Sequence, residues 1–375
     1  MLRIAVDARC VGPRPSGIGH YTEELLRHLV PMADDVELLV LRHPSAREPI
    51  VRHERVRELR FPGETKGVLT VLGLGLRHGF ADCDLYHSPG DLVPLGLRCP
   101  WVVTMHDLMW VEAPHLASAF LPVRLANGLW YRAAFAHAVR GARAVIAISQ
   151  ATAAAIARVY PEHAHKTRVV RHGIDRVRYS AERAGPRSLL DAHVPPGRAY
   201  SLIVGQGSPY KNHPGMVRAF LEAMRAQPEH RLVLVRRFSR FDREMRRLLV
   251  RPDVQGRVIV LPSVSDDVLL ALFRHARMLL FASRYEGFGL PALEAMALGT
   301  PVLGSTAPAV LEVTGEAALH ADPEDHRDLV EKMRALDQDE ALRARLVAAG
   351  TARAAELTWE RCARQTLEIY RASCR

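Results

Sequence analysis

Two glutamates that flank a glycine-rich stretch are the residues of this chain whose types and spacing most clearly indicate chemistry. Glu286 and Glu294 lie eight positions apart, and Gly287, Phe288 and Gly289 follow the first of them. Glycine has no Cβ, so the backbone here can turn sharply and let a ligand approach closely. Carboxylates beside such a turn are suited to gripping the hydroxyl groups of a sugar.

The residues after this loop predict a helix and then a buried strand. Pro291 suits the first helical position and Gly299 the position after the helix, and the strand is predicted over residues 300–303. A helix that begins near Leu290 presents unbonded N–H groups and a positive dipole end, which suit a phosphate. Phosphate binding beside paired carboxylates predicts a nucleotide-sugar site.

A second glycine-rich turn, residues 205–213, follows one predicted strand and precedes a predicted helix. It contains Lys211, and a lysine in this place offsets the charge of a diphosphate without a metal ion. Arg236 or Arg237, just after the predicted strand at residues 231–235, is a candidate for a second cation, although an exposed strand-end pair explains them equally well. Val264 is a further candidate for donor contact.

Polar and glycine residues follow strands in the first half as well. Gly17 and Gly19 permit close backbone approach, but the third glycine of a dinucleotide-binding fingerprint is absent. His106 and His87 each end a predicted strand at the same sheet edge, and His106 is a candidate for the reacting centre. His87 and Tyr21 are candidates for contact with an acceptor.

Composition limits the function classes. The 375 residues are 48% hydrophobic and 25% charged, and no apolar run approaches the length that spans a bilayer. The five cysteines are widely spaced and contain no C-x-x-C pair, which predicts neither a disulfide framework nor a zinc site. A reducing cytoplasm is therefore the expected compartment.

The net charge of +10 has two readings. Nothing resembles a nucleic-acid module, and the arginine excess fits either a GC-rich genome or attraction to anionic lipid. Basic residues crowd one part of the first half beside the apolar stretch 67–80, which predicts either an interfacial segment or a core helix. These basic residues are Arg42, Arg47, Arg52, Arg55, Arg57, Arg60 and Lys66.

Strands alternate with helices along the whole chain, which predicts parallel βαβ units. The predicted strands are residues 4–7, 36–41, 85–87, 102–105, 144–148, 169–171, 201–204, 231–235, 258–260, 278–281 and 300–303. The predicted helices are residues 20–30, 150–160, 214–226, 242–250 and 266–275, with a mostly helical tail from 325. A proline- and glycine-rich linker at 176–198 divides them into two doubly wound α/β domains, with ligand expected at the carboxyl ends of the strands in a cleft.

The motifs occur in the order found in the retaining glycosyltransferases of family 4, and the chain resembles that family over nearly its whole length. The resemblance implies the GT-B fold, with an acceptor-binding domain at residues 1–180 and a nucleotide-sugar-binding domain at 198–357. It also implies that residues 358–375 cross back to the first domain. The chain departs from many relatives at Gln206 and Tyr210, where an arginine is usual.

The resemblance also implies a reaction. It is closest to bacterial mannosyl- and rhamnosyltransferases that build surface polysaccharides such as O-antigen. Lys211 would then hold the donor diphosphate, Glu294 the ribose and Glu286 the sugar, with no required metal or other cofactor. GDP-mannose is the expected donor and a polyprenyl-diphosphate-linked saccharide the expected acceptor, reached at the inner face of the plasma membrane through a basic first domain.

Two alternatives stay open from the sequence. A rhamnosyltransferase would use GDP- or dTDP-rhamnose instead of GDP-mannose. A catalytically inactive GT-B scaffold in a polysaccharide assembly complex would bind a nucleotide without turning it over, and the uncharged Gln206 is the feature that favours this second alternative.

Overall fold

The computed structural model describes residues 1–12, 16–46, 48–63, 65, 67–238 and 242–375. The strands are β1 (Leu2–Asp7), β2 (Val36–Arg42), β3 (Val56–Arg60), β4 (Leu85–Ser88), β5 (Trp101–Met105), β6 (Ala144–Ala147), β7 (Thr167–Val169), β8 (Tyr200–Val204), β9 (Arg231–Val235), β10 (Val258–Leu261), β11 (Met278–Phe281), β12 (Val302–Ser305) and β13 (Leu319–Ala321).

The helices connect these strands and close the chain. They are α1 (Gly17–Leu29), α2 (Val68–His78), α3 (Met109–Glu112), α4 (Pro114–Ala117), α5 (Leu121–Gly141), α6 (Gln150–Val159), α7 (Ala181–Ala184), α8 (His213–Ala223), α9 (Arg243–Leu249), α10 (Asp266–Arg274), α11 (Leu290–Ala297), α12 (Pro308–Thr314), α13 (His326–Gln338), α14 (Glu340–Glu356) and α15 (Trp359–Ser373). Within the described ranges, no helix is both long and apolar enough to cross a membrane.

The chain divides into two compact units. The first contains residues 1–112, 125–173 and 358–375, and the second contains residues 113–124 and 174–357. The first unit has a wholly parallel sheet in the order β3-β2-β1-β4-β5-β6-β7. The second has a parallel sheet in the order β10-β9-β8-β11-β12-β13. The predicted pair of doubly wound parallel sheets is confirmed.

The strand order reverses once in each sheet, between β1 and β4 and between β8 and β11. In open parallel sheets the loops on either side of such a reversal diverge and leave a crevice at the carboxyl ends of the strands. The segments after β1, β8 and β11 lead to Gly17, Lys211 and Glu286, whereas His87 lies within β4. His106, Arg236 and Val264 follow β5, β9 and β10. The topology therefore places Lys211 and Glu286 at the switch point of the second sheet, and His106, Arg236 and Val264 at the carboxyl ends of neighbouring strands.

The last helix completes the core of the first unit. Trp359, Cys362 and Leu367 of α15 are buried with residues of β1, β2 and α1 in one hydrophobic cluster. Thr358 caps the helix by accepting a hydrogen bond from the N–H of Arg361 at 3.2 Å. The chain thus returns to the first unit in its final eighteen residues.

Several segments differ from the sequence expectation, and the strand predicted at residues 300–303 lies at Val302–Ser305. The strand expected at residues 169–171 lies at Thr167–Val169, where it pairs with β6, so that prediction was wrong by two residues. β3 was not predicted, because its sequence Val-Arg-Glu-Leu-Arg reads as part of a charged segment. It is the edge strand of its sheet, and charged residues are typical of exposed edges.

The basic cluster is less uniform than its sequence suggests. Several of its arginines lie beside carboxylates: Arg42 pairs with Glu58 at 3.0 Å, Arg52 with Glu48 at 2.8 Å and Arg55 with Asp34 at 3.1 Å. Arg57 and Arg60 are exposed on β3. Arg47 and Lys66 lie outside the described residues.

Gly173 gives a test of how α15 is seated. A Cβ at this position would collide with the backbone of Thr358 and Trp359, so Gly173→Ala should displace the start of α15. We expect a loss of about 1–3 kcal/mol in the free energy of unfolding, the usual cost of overpacking. Thermal unfolding of the full chain measures it.

The matched control is Gly128→Ala within α5. The nearest atom to a Cβ there is the Trp110 carbonyl oxygen at 3.7 Å, an ordinary contact. Alanine favours a helix over glycine, so this variant should unfold at an unchanged or slightly higher temperature. Equal stability of the two variants would show that Gly173 does not seat the helix.

Candidate active site

The loop after β11 forms the turn that its sequence predicted. Gly289 has a φ of 117°, and a Cβ there would lie 3.3 Å from the Phe281 ring, so glycine suits the position on both grounds. α11 begins at Leu290, which makes Pro291 the second helical residue rather than the first. Gly289 supplies no side-chain cap, Pro291 has no N–H, and the Ala292 N–H donates to the Gly289 carbonyl at 3.0 Å. The start of α11 therefore offers an anion the N–H of Leu290 and the positive end of the helix dipole.

Lys211 and Glu286 meet in the second unit. The lysine Nζ lies 2.6 Å from Glu286 Oε1, and both side chains are about nine-tenths buried, with 11% and 9% exposure. Nζ also lies 5.1 Å from the centre of the Tyr210 ring and 5.2 Å from that of Phe281, a cation–π arrangement. The structure therefore brings together the two residues to which the sequence assigned the diphosphate and the sugar.

A backbone contact fixes the two loops that carry this pair. The N–H of Arg284 donates to the Tyr210 carbonyl at 2.7 Å, and the Arg284 guanidinium donates to the Pro209 carbonyl at 3.0 Å. β8 and β11 are neighbours in the sheet, so the loops that follow them emerge side by side. The pairing of Lys211 with Glu286 is thus a consequence of the strand order.

Glu294 is bound by a tyrosine that the sequence did not single out. The Tyr179 hydroxyl donates to Glu294 Oε1 at 2.7 Å. Burial raises the pKa of the Glu294 carboxyl, while Tyr179 and Arg178 act in the opposite direction. Tyr179 lies in the predicted linker and has no local motif, which is why sequence reasoning missed it.

Arg236 and Val264 follow adjacent strands of the same sheet. Arg236 is only 2% exposed and forms an ion pair with Asp242. Its guanidinium lies against Gly207, where any Cβ would overlap it. Val264 is half-buried in the loop between β10 and α10, at the same carboxyl edge.

The two glycines of the first unit have different surroundings. Gly19 packs closely against the loop after β1. A Cβ added at this position would lie only 2.6 Å from the Cys10 carbonyl oxygen. Its N–H donates to Ser16 Oγ at 3.0 Å, which caps α1. Gly17 has open space around its Cβ position, so of the two it is the one whose backbone is accessible to a ligand.

His106 is held at the end of β5 by contacts to its ring and backbone. Nε2 lies 2.7 Å from the Pro89 carbonyl, so this nitrogen carries the proton and donates it. The His106 N–H donates to Asp91 Oδ1 at 2.6 Å, and Asp91 has a φ of 64°. A non-glycine residue in this region of φ is uncommon and is often found at functional sites.

A chain of buried hydrogen bonds runs beside His106. The Tyr370 hydroxyl lies 2.6 Å from His87 Nδ1, His87 Nε2 lies 2.9 Å from Thr104 Oγ1, and Thr104 Oγ1 lies 3.0 Å from the Tyr21 hydroxyl. Tyr21 then contacts the His106 ring, with 5.2 Å between ring centroids. The last helix is thus connected through three side chains to the wall of the candidate reacting centre.

The donor and the acceptor of each hydrogen bond in this series can be assigned by counting protons. Burial holds the pKa of His87 at about 3, so its ring is neutral at pH 7 and has one donor and one acceptor nitrogen. Tyr370 is fully buried, and among the described residues its hydroxyl has His87 Nδ1 as its hydrogen-bond partner. We therefore assign Tyr370 as the donor to Nδ1, which leaves Nε2 to donate to Thr104.

His87 and Tyr21 are both fully buried, with 0% exposure. Because neither side chain reaches the surface, their burial favours a role in positioning other residues over direct contact with an acceptor. His172 stacks on Tyr21 at 4.7 Å and extends the group. Tyr370 and Thr104 were missed by sequence reasoning, because neither belongs to a motif and their partners are distant along the chain.

Two family descriptions match the chain in succession. Residues 15–178 match the family described as Glycosyltransferase Family 4, and residues 191–353 match the family described as Glycosyl transferases group 1. Together the two matched ranges contain the loops described above. The exception is the loop after β1, of which only the end, from residue 15, lies within the first match.

Individual proteins are similar over almost the whole chain. O-antigen chain mannosyltransferase B of Escherichia coli is 28% identical, over 95% of this chain and 96% of its own length. D-inositol 3-phosphate glycosyltransferase of Pseudarthrobacter chlorophenolicus is 30% identical, over 95% and 90% respectively. The structure of a sucrose-phosphate synthase from Thermosynechococcus elongatus superposes with a TM-score of 0.77 at 22% identity and 99% coverage of both chains, which shows a common fold.

The buried histidine predicts how the stability of the first unit depends on pH. The His87 pKa is about 3 in the folded chain, against 6.5 for an exposed histidine. As the pH falls below about 6.5, the unfolded chain takes up a proton that the folded chain refuses, so the free energy of unfolding decreases by about 1.4 kcal/mol per pH unit. This stability is present above pH 6.5 and is lost towards pH 3.

Urea-induced unfolding of wild type and His87→Gln at pH 7.5 and pH 5.0 tests this. The variant loses both ring contacts and should be less stable at pH 7.5. It also lacks the titrating group, so it should lose less stability than wild type between pH 7.5 and pH 5.0. The free energies of unfolding of the two proteins should therefore be closer at pH 5.0 than at pH 7.5. An equal loss in both would contradict the neutral buried state of His87.

Proposed function

The chain belongs to glycosyltransferase family 4, and from this premise we propose that it transfers mannose from GDP-mannose to a lipid-linked saccharide, with retention of the anomeric configuration, in bacterial O-antigen biosynthesis. The observation that carries the proposal is the 2.6 Å contact of Lys211 with Glu286 beside the start of α11. The similarity to an O-antigen chain mannosyltransferase supports the sugar and the pathway.

The second unit supplies the groups that a nucleotide-sugar donor needs. Lys211 and the positive end of the α11 dipole provide positive charge for a diphosphate. Glu286 is the carboxylate for the sugar hydroxyls, and Glu294, oriented by Tyr179, is the carboxylate for the ribose hydroxyls. Gly287 and Phe288 belong to the same loop, and Phe288 is buried and anchors it.

The proposed chemistry breaks one bond and forms one at the anomeric carbon. The bond from the anomeric carbon to the β-phosphate oxygen breaks, and the acceptor oxygen attacks the same face of the sugar. The acceptor proton passes to the departing phosphate, so no separate protein base and no metal ion is required. Lys211 and the positive end of the α11 dipole stabilise the charge that develops on that phosphate, a preorganised electrostatic effect.

His106 is proposed to stand at the reacting centre in the first unit. Its Nε2–H is committed to the Pro89 carbonyl, which fixes the ring orientation. The buried chain from Tyr370 to Tyr21 supports the wall beside it. A rigid support of this kind holds a catalytic group in its productive geometry.

The proposal also places the chain at the inner face of the plasma membrane. α2 exposes Val68, Leu72 and Leu76, at 51%, 45% and 71%, on one face, while Val71 and Leu74 are buried on the other. Arg77 and His78, at the end of this helix, are also exposed. An apolar stripe beside basic residues suits the surface of an anionic bilayer.

A nucleotide panel tests the proposed donor. Thermal shift with GDP, UDP, ADP and dTDP, with and without Mg²⁺, should show stabilisation by GDP that does not depend on the metal. Stabilisation by dTDP instead would indicate dTDP-rhamnose, and binding without turnover of the matching nucleotide sugar would indicate an inactive scaffold.

Lys211→Ala tests the electrostatic role of the lysine. We expect kcat/KM to fall by about 100-fold or more, because charge on the departing phosphate loses its stabilisation. Lys332→Ala, which removes a partly exposed lysine of the same unit, is the control and should leave the kinetics unchanged. Near-normal kinetics for Lys211→Ala would remove this residue from the mechanism.

Membrane attachment is tested with the double variant Leu72→Ser and Leu76→Ser. Binding to phosphatidylglycerol vesicles should weaken about tenfold or more, since two exposed leucines no longer enter the interface. Leu311→Ser, which removes an exposed leucine of the second unit, is the control. Equal sedimentation of the double variant and wild type would exclude α2 as the attachment face.

A further inference from the structure

Arg236 is a buried cation whose hydrogen-bonding capacity is only partly used. The residue is 2% exposed, and its Nη2 forms an ion pair with Asp242. Within the described part of the chain, Nε and Nη1 have no hydrogen-bond partner. A buried charged group with unpaired N–H donors is costly to fold, so such a group calls for an acceptor.

The guanidinium lies directly against the glycine-rich loop after β8. Its Nη2 occupies the space that a Cβ of Gly207 would need, so only glycine permits this approach. Gln206, the neighbouring residue, is exposed and uncharged. The positive charge beside this loop therefore comes from Arg236, which lies beneath the loop at the end of the neighbouring strand β9.

Lys211 and Arg236 act on the same buried histidine. Burial holds the pKa of His213 well below its usual value, and the charges of Arg236 and Lys211 lower it further. His213 is the first residue of α8 and is 2% exposed, and its Nδ1 is also without a partner among the described residues. A Cβ at Gly205 would lie 3.7 Å from both Lys211 Cε and His213 Nε2, and a Cβ at Gly207 would overlap Arg236 Nη2. Both cations therefore lie along the one loop that leads into the eleven-residue helix α8.

A second arginine, Arg246, adds positive charge beside Arg236. Arg236 and Arg246 both approach the Phe238 ring, at 4.8 and 5.1 Å from its centre, and Asp242 is the carboxylate paired with the first of them. The helix start adds its dipole, and no side chain caps it, since Asn212 makes no capping bond. Such an arrangement favours binding of an anion with several oxygen atoms.

We propose that Arg236 is the second cation of a diphosphate site formed with Lys211, the loop at residues 205–208 and the start of α8. It acts from beneath the loop and replaces the positive charge that Gln206 does not provide. This inference rests on the proposed function, because a nucleotide-sugar donor supplies the diphosphate.

Asp242 has a defined part in this arrangement. Its carboxylate competes with a phosphate for the same guanidinium. Removing its charge by Asp242→Asn should therefore tighten diphosphate binding, whereas removing the cation by Arg236→Gln should weaken it. A purely structural ion pair would give no change in affinity in either variant, only a lower unfolding temperature.

Calorimetric titration of the full chain with inorganic pyrophosphate and with GDP, UDP, ADP and dTDP tests the proposal. Arg236→Gln should raise the Kd for the best nucleotide and for pyrophosphate by about tenfold or more, the usual effect of losing a hydrogen bond to a charged group. Arg236→Lys should retain most of the affinity, and Asp242→Asn should lower the Kd by about threefold. Arg237→Gln, which removes the adjacent exposed arginine, should leave it unchanged.

The outcomes separate this inference from the proposed function. If wild type binds a nucleotide and Arg236→Gln binds it equally well, the inference is overturned and the donor site remains. If wild type binds pyrophosphate but none of the four nucleotides, the proposed function fails, and the variants still decide the role of Arg236. If wild type binds none of these ligands, both fail. Should Arg236→Gln not fold, an unchanged Kd in Asp242→Asn overturns the inference.

Discussion

Parallel pairing at the two points where strand order reverses is the constraint on which the candidate site depends. β1 lies beside β4, and β8 beside β11, so the loops that follow them leave the same edge of their sheets. The lysine and carboxylate side chains of Lys211 and Glu286, which are far apart in the chain, are thereby brought side by side. A shift in the register of β8 against β11 would move Lys211 away from Glu286, whatever the sequence of the loops.

Buried polar contacts then hold the site residues in place. His87, Thr104 and Tyr21 satisfy one another and tie the last helix to the wall beside His106. Such networks are costly when any member is left unpaired, so they specify one arrangement of the elements around them. In the second unit, Tyr179 does the same for Glu294.

Ion pairs between neighbouring side chains describe the electrostatics of this protein better than its net charge does. Several arginines of the basic cluster are matched with glutamates or aspartates. Within the described residues, the buried cations Lys211 and Arg236 are each paired with one carboxylate. A diphosphate carries the charge that would compete for both, which links the electrostatics of the fold to the proposed donor.

The sequence by itself determined most of the strands and the Glu-flanked glycine loop. Alternating strands and helices predicted two parallel sheets, and the Glu-flanked glycine loop predicted the turn into α11, because both depend on local spacing. α5 was not predicted, since its apolar residues do not fall on one face. Tertiary structure alone decided the partners Tyr370 with His87, 283 positions apart, and Tyr179 with Glu294, 115 positions apart. Contacts at such separations leave no periodic pattern, because the folded backbone and not the local sequence brings them together.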